Sequence, residues 1–301
     1  MKKDLMIMMG QTKRKKISIF EIVVSLFLFA FSALLLFLFF WGLLSSFRNH
    51  YAVIDYPFKL FSDLSLDSWK YLFTDFSFRS GDRIFSLTDM FVNSFLYAFG
   101  GALAQTFCTC VVAYVTAKYP SKFSTFINYL VIVVTILPIV GNLPSMITIT
   151  KDVLHIYDTL FGTWIMKFGF CSVYYFVFYA AFKRISWEYA EAAFIDGSGH
   201  FRIFFTIMFP LIITLFGTVF LLNFITYWND FETPYMFLRA KPTLSVGLYG
   251  LLNGYGMPSG YTEDLTISLA ASFAVFLPIL ILFFILKNKI MGNLMDGGIK
   301  G

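Results

Sequence analysis

Ile22-Val-Val-Ser-Leu-Phe-Leu-Phe-Ala-Phe-Ser-Ala-Leu-Leu-Leu-Phe-Leu-Phe-Phe-Trp-Gly-Leu-Leu-Ser-Ser-Phe47 contains no charged side chain. A helix needs about 20 largely apolar residues to cross the hydrocarbon core of a bilayer, and this run exceeds that. It is too long for a signal-peptide core and no small-residue cleavage site follows, so it reads as a retained first span. Comparable runs follow at 91–117, 125–148, 161–182, 207–228 and 265–286. They are continuous, whereas membrane β-barrel strands alternate apolar and polar residues. The pattern predicts an all-α membrane protein with six transmembrane helices.

Composition excludes the other classes. Of 301 residues 58% are hydrophobic and only 14% charged, with 40 Phe and a mean hydropathy of +0.73. An average soluble chain carries about 45–50% apolar and about 25% charged residues, so this chain could not cover its apolar surface in water. Disorder and a disulfide scaffold are excluded on the same grounds. Cys108, Cys110 and Cys171 lie in apolar stretches and read as small buried thiols. His50, His155 and His200 are far apart, which suggests no metal cluster. No H-E-x-x-H or G-x-S-x-G motif and no clustered intramembrane His, Asp or Glu is present, so hydrolysis and metal chemistry lack reagents.

Lys and Arg set the orientation. Fourteen fall in the N-terminal tail, the 118–124 turn, the 183–206 loop and the C-terminal tail, and eight are spread over the longer opposite segments. Both termini are therefore expected in the cytoplasm, against the anionic inner leaflet, and the net charge of +5 needs no nucleic acid to explain it. The organisation that follows is a basic tail (1–17), a first span (18–47), an extracytoplasmic segment (48–90), a five-helix core (91–290) containing a cytoplasmic loop (184–210), and a C-terminal tail (291–301). A second long outer segment, 229–264, is rich in Gly, Pro and Tyr. Long loops of this kind are often functional.

The cytoplasmic loop is the most informative segment. Ser186 suits a helix N-cap, Glu188 suits the positive end of the helix, and Asp196-Gly197 suits its stop, which predicts a short helix over 187–195. A second helix is expected from near Ser198 toward Pro210. The short helix carries Trp187, Tyr189, Phe194 and Ile195 outside the membrane. A helix resting on headgroups would bear Lys and Arg on its polar face. This one bears Glu188 and Glu191, which points to docking on a basic protein surface.

Glu191-Ala192-Ala193, then Gly197, then Ile207-x-Phe209-Pro210 resembles the E-A-A-x3-G-x9-I-x-L-P loop of bacterial ABC-importer permeases, with Phe209 in place of Leu. Leu66-Asp-Ser-Trp-Lys-Tyr-Leu-Phe73, Phe91-Val-Asn-Ser-Phe95, Trp228-Asn229-Asp230, Lys241-Pro-Thr-Leu-Ser-Val-Gly-Leu248 and Gly297-Gly-Ile-Lys-Gly301 are similar to the carbohydrate-uptake branch of that family. The resemblance implies a multi-pass permease of the bacterial cytoplasmic membrane, importing a sugar or oligosaccharide. Its implied partners are a second permease, two ATPase subunits and an extracytoplasmic solute-binding protein. The EAA helix would couple to the ATPase through Glu188, Glu191, Ala192, Ala193, Asp196, Gly197, Ile207 and Pro210. The chain has no G-x-x-x-x-G-K-[ST] loop, so ATP and its Mg belong to the partner ATPase and no cofactor is expected here. The loop is shared by importers of other solutes, so a non-sugar substrate stays open. A secondary transporter would call for paired mid-membrane charges or inverted repeats, and neither is seen.

Polar groups within the spans include Asn93, Gln105, Asn142 and Asn223, with Pro138, Pro144 and Pro278 interrupting helices and Lys167 as the one cation. Asn142, Tyr174, Tyr175, Asn223, Trp228 and Asn229 are the candidates for a translocation path, where a sugar would need hydrogen-bonding groups and aromatic faces.

Overall fold

The computed structural model describes residues 18–137, 141–254 and 264–296, with side chains through 285. The tails that carry much of the charge asymmetry, Pro138, and part of the second long segment lie outside the described residues. Helix α1 spans Ile19–Ser45. Its first turn is fixed by the Glu21 carboxylate, which accepts from the Ser18 N–H at 3.1 Å. Only its last turns pack, where Gly42 lies against Phe273 and Leu269, and Phe39 sits edge-on to Phe273 and Phe276.

The segment 48–90 is built rather than open. It contains α2 (His50–Asp55), α3 (Asp67–Thr74) and a two-stranded antiparallel hairpin, β1 (Ser77–Ser80) with β2 (Arg83–Ser86), in the register Ser77↔Ser86. The hairpin is a small exception to the expected all-α chain. Helix α4 (Leu87–Lys118) follows directly. Ser86 and Asp89 cap it reciprocally: the Asp89 N–H donates to Ser86 Oγ at 3.3 Å, and the Ser86 N–H to Asp89 Oδ2 at 3.0 Å.

The expected third and fourth spans are not single helices. The third is α5 (Lys122–Ile136), which ends before Leu137, and then α6 (Leu143–Thr148) running into a π turn at Ile149–Val153. A proline lacks the N–H and clashes with the preceding turn, so Pro144 sits in the first turn of a new helix. The fourth divides into α7 (Leu160–Lys167) and α8 (Val173–Arg184), with 168–172 non-helical between them. Helix α9 spans Glu188–Ile195. Then α10 (His200–Ile203), a π turn (Phe204–Met208) and α11 (Phe209–Asn229) form one helical path of 30 residues. Short helices α12 (Glu232–Phe237) and α13 (Leu244–Leu252) occupy the second long segment, and α14 (Leu265–Asp296) continues through Pro278.

Among the described residues, four helical stretches are long and apolar enough to cross a membrane: Ile19–Ser45, Leu87–Lys118, His200–Asn229 and Leu265–Ile285. Helix α4 is the central spine. One core gathers around its C-terminal half (Tyr114, Phe182, Ala190, Phe204, Met208), and a second around its N-terminal half (Tyr97, Ala98, Trp228, Leu244, Ala270).

Candidate functional site: the α9 loop and the far end of its helix

Helix α9 is fixed at both ends by local chemistry. Ser186 Oγ accepts from the Glu188 N–H at 3.3 Å. At the other end the Ser198 N–H reaches Ala193 O at 2.9 Å and the Gly197 N–H reaches Phe194 O at 3.0 Å. This Schellman pattern needs a left-handed residue, which Gly197 supplies at φ +78°. One face packs inward: Ala190 and Ala193 are buried, and Trp187 and Phe194 are half-buried. Trp187 stands edge-on to Tyr119, Phe194 lies 4.9 Å from His200, and Tyr119 Oη is 2.7 Å from His200 Nδ1. Lys118 Nζ donates to Ile185 O. The helix is thus keyed to the end of α4 by rings and small side chains. The opposite face, with Glu188, Glu191, Ala192 and Ile195, is open, and Ile195 is 87% exposed. Neither glutamate has an ion-pair partner among the described residues.

From this loop the His200–Asn229 path runs for 30 residues, about 45 Å at 1.5 Å per residue. The π turn directly precedes α11, whose second residue is Pro210, and the altered turn accommodates the proline's missing N–H. At the far end stands a polar cluster. Lys167 Nζ donates to Asp230 Oδ2 at 3.2 Å and to Thr233 Oγ1 at 3.1 Å, and sits 4.7 Å from the centre of the Tyr227 ring. Tyr97 Oη donates to the same carboxylate oxygen at 2.7 Å, and the Thr233 N–H to the other at 3.0 Å. Burial of Asp230 works against its charge. The Lys167 ammonium and the bonds from Thr233 and Tyr97 outweigh that and hold its carboxyl below the ordinary carboxylate range.

The family model described as "Binding-protein-dependent transport system inner membrane component" matches residues 105–288. The chain belongs to that family. It is a multi-pass permease of the inner membrane, and membership implies a solute-binding protein and an ATPase as its partners. The permease is 30% identical over 289 residues to the arabinooligosaccharides transport system permease protein AraQ of Bacillus subtilis, covering 94% of this chain and 97% of the relative. It is 27% identical over 242 residues to the melibiose/raffinose/stachyose import permease protein MelC of the same organism, covering 78% of this chain and 85% of the relative. A crystal structure of a bacterial ABC transporter involved in the import of the acidic polysaccharide alginate contains a chain with the same fold. The TM-score is 0.73 at 18% identity, over 93% of this chain and 99% of that one.

Within the permease, the loop residues named from sequence divide by face. Glu188, Glu191, Ala192, Asp196 and Gly197 are exposed, whereas Ala193 packs inside the chain's own core, Ile207 is half-buried against that core, and Pro210 is exposed. The six path candidates also divide. Tyr175 is fully buried, where Thr116 Oγ1 lies 2.7 Å from its hydroxyl and Asn128 Oδ1 accepts from it at 2.5 Å. Asn223 Nδ2 donates to Thr106 Oγ1 at 2.9 Å, and Trp228 Nε1 to Val275 O at 3.0 Å, so both serve contacts between helices. Asn142 and Asn229 are exposed and Tyr174 is half-buried. Two sequence stretches quoted apart meet in space: Asn93 Nδ2 donates to Pro242 O at 3.1 Å, and Ser94 Oγ accepts from the Leu244 N–H at 2.7 Å. Sequence reading missed Tyr97, Asp230 and Thr233 as a group around Lys167. The available signal was an unpaired lysine within an apolar run, since such a charge calls for a partner.

Proposed function

We propose that this permease forms half of the path through which an ATP-driven importer carries a sugar or oligosaccharide, and that α9 is the contact with a separate ATPase. The observation that carries the reading is the divided face of α9. Its small and aromatic residues are committed to the chain, while two glutamates and Ile195 stand open with no base on the helix to balance them. A basic, partly apolar cleft on the ATPase would complement that face. Gly197 sets the bend that joins it to the His200–Asn229 path, and exposed Ala192 leaves room for close approach. The names of the relatives AraQ and MelC support an oligosaccharide as the solute.

The assembly would hold a second permease, two ATPase subunits and an extracytoplasmic binding protein. The broken pairs α5–α6 and α7–α8 would complete six passes, with both termini in the cytoplasm. Of the named path residues, Asn142, Tyr174 and Asn229 offer accessible groups. Tyr175, Asn223 and Trp228 support the walls from within.

Glu191→Lys tests the coupling. In the importer reconstituted with its binding protein, the variant should fold and assemble but transport little solute for the ATP it hydrolyses. Reversing one member of an interfacial charge pair costs about 2–5 kcal/mol. Uptake at the normal rate would remove Glu191 from this role. The solute class is tested in the same vesicles by comparing ATP hydrolysis stimulated by arabino- and galacto-oligosaccharides with that stimulated by amino acids.

A further inference from the structure

Gly100 and Gly101 of α4 form a seat for the half-helix α7. The Trp164 ring lies directly on Gly100, where a Cβ would come 2.1 Å from the ring, and Trp164 Nε1 donates to Leu96 O at 3.1 Å. Three residues later the Lys167 stem passes Gly101, where a Cβ would stand 3.6 Å from its Cγ. Lys167 is the last residue of α7, and the non-helical stretch 168–172 begins after it. Its ammonium then meets Asp230, the first residue beyond α11. Among the described residues this is the one bridge between a lysine or arginine and a carboxylate. Both side chains are largely shielded, at 20% and 17% exposure.

A shielded ion pair is weak as a device for stability, because desolvation offsets most of the attraction and apolar residues would hold the helices as well. What such a pair supplies is registry between two elements that could otherwise slide. Here the two elements are the helical path that starts at the α9 loop and the helix that ends at the interruption of the fourth span. Asp230, the last residue of Trp228-Asn229-Asp230, thereby gains a role that neither the ATPase contact nor the path residues supply.

We infer that Lys167 and Asp230 are positioning residues that tie α7 to the far end of His200–Asn229, so that a displacement of α9 reaches the break at 168–172. Tyr97 and the Thr233 N–H hold the carboxylate toward the ammonium, and the Tyr227 ring covers it. The inference rests on the reading of α9 as the ATPase contact.

The test uses the assembled importer in vesicles, with solute uptake and ATP hydrolysis measured on the same sample for Lys167→Met, Asp230→Asn and the exchange Lys167→Asp with Asp230→Lys. The single variants should keep hydrolysing ATP while uptake per ATP falls roughly tenfold, the size of an ordinary coupling between sites. The exchange should recover a large part of that loss. A role in folding alone would lower uptake and hydrolysis together and leave their ratio unchanged, and that result overturns the inference. An exchange that recovers nothing overturns the pair as the tie. If the single variants fail to assemble, two variants that leave both charges in place are measured in the same way: Tyr97→Phe, which removes a bond to the Asp230 carboxylate, and Thr233→Val, which keeps the N–H but removes the hydroxyl that accepts from Lys167. A lowered ratio in either supports the tie, and an unchanged ratio in both overturns it. Glu191→Lys run in parallel separates the two readings. If it too leaves the ratio unchanged, the ATPase contact at α9 fails. If it alone lowers the ratio, only the tie is lost.

Discussion

Helices α1 and α4 are both long, apolar and built to cross a membrane, yet they are used in opposite ways. No residue in the most apolar stretch of α1 is buried, while nearly half of the corresponding stretch in α4 is. The difference lies in side-chain size. Residues 19–38 of α1 are mostly Phe, Leu, Ile and Val, and all of them are exposed. The buried face of α4 is mostly Ser, Ala, Gly, Thr and Cys, from Ser94 to Ala117, with Met90, Asn93, Tyr97 and Tyr114 as its larger members. Inside a bilayer the lipid tails are as apolar as leucine, so greasiness brings helices no closer together. Small residues do, because they let backbones approach and let hydroxyls and amides bond across the gap.

The strongest way to break this comparison is Gly100→Leu. The new side chain would collide with the Trp164 ring, displacing α7 from α4 at a cost of about 3 kcal/mol or more. Thermal unfolding of the purified permease in detergent reads that loss. A smaller effect is expected within α1 itself. Phe39→Ala removes two ring contacts with α14 and should cost about 1–2 kcal/mol, counting about 0.5–1.5 kcal/mol for each pair and some relaxation of the site. Phe29→Ala, at a position 74% exposed, should change stability by less than about 0.5 kcal/mol. Equal losses at the two positions would mean that α1 is covered along its whole length. One polar bond joining α11 to α4 is that between Asn223 and Thr106. A double-mutant cycle with both changed to Ala should return a coupling of about 0.6 kcal/mol, and not above about 1.7 kcal/mol, the range seen for bonds between membrane helices. A null coupling would leave shape alone to hold α11 on α4.

The same physics decided what could be read beforehand. The charge-free run of α1 and the runs of α4, α11 and α14 announced themselves, because length and hydropathy are properties of a stretch taken as a whole. The α9 loop was legible for a different reason: Ser186, Glu188 and Asp196-Gly197 are local signals, and the structure starts the helix at Glu188, with Trp187 rather than Ser186 as its N-cap, and closes it with the Schellman turn at Gly197. The break between α7 and α8 was not legible. Residues 161–182 stay apolar across it, and hydropathy carries no record of where backbone bonds are interrupted. Gly169 and Ser172 beside an isolated Lys167 were the only local hints. The path candidates failed to sort for a related reason, since a helix apolar on every side offers no periodicity from which to tell Tyr175 from Tyr174. In the segment 229–264, Pro and Gly suggested an open loop, whereas α12 begins two residues before Pro234 and α13 starts from Thr243, whose hydroxyl accepts from the Val246 N–H.

The π turn at Phe204–Met208 has a geometric consequence of its own. Each residue of an α-helix advances about 100° around the axis, so one extra residue in a turn sets the azimuth of everything on one side relative to everything on the other. The direction in which Glu191 and Ile195 point, relative to the face that α11 turns toward α4, is therefore set by a single residue's worth of winding. Tightening that turn to an ordinary one would swing the α9 face about the helix axis without altering any side chain upon it.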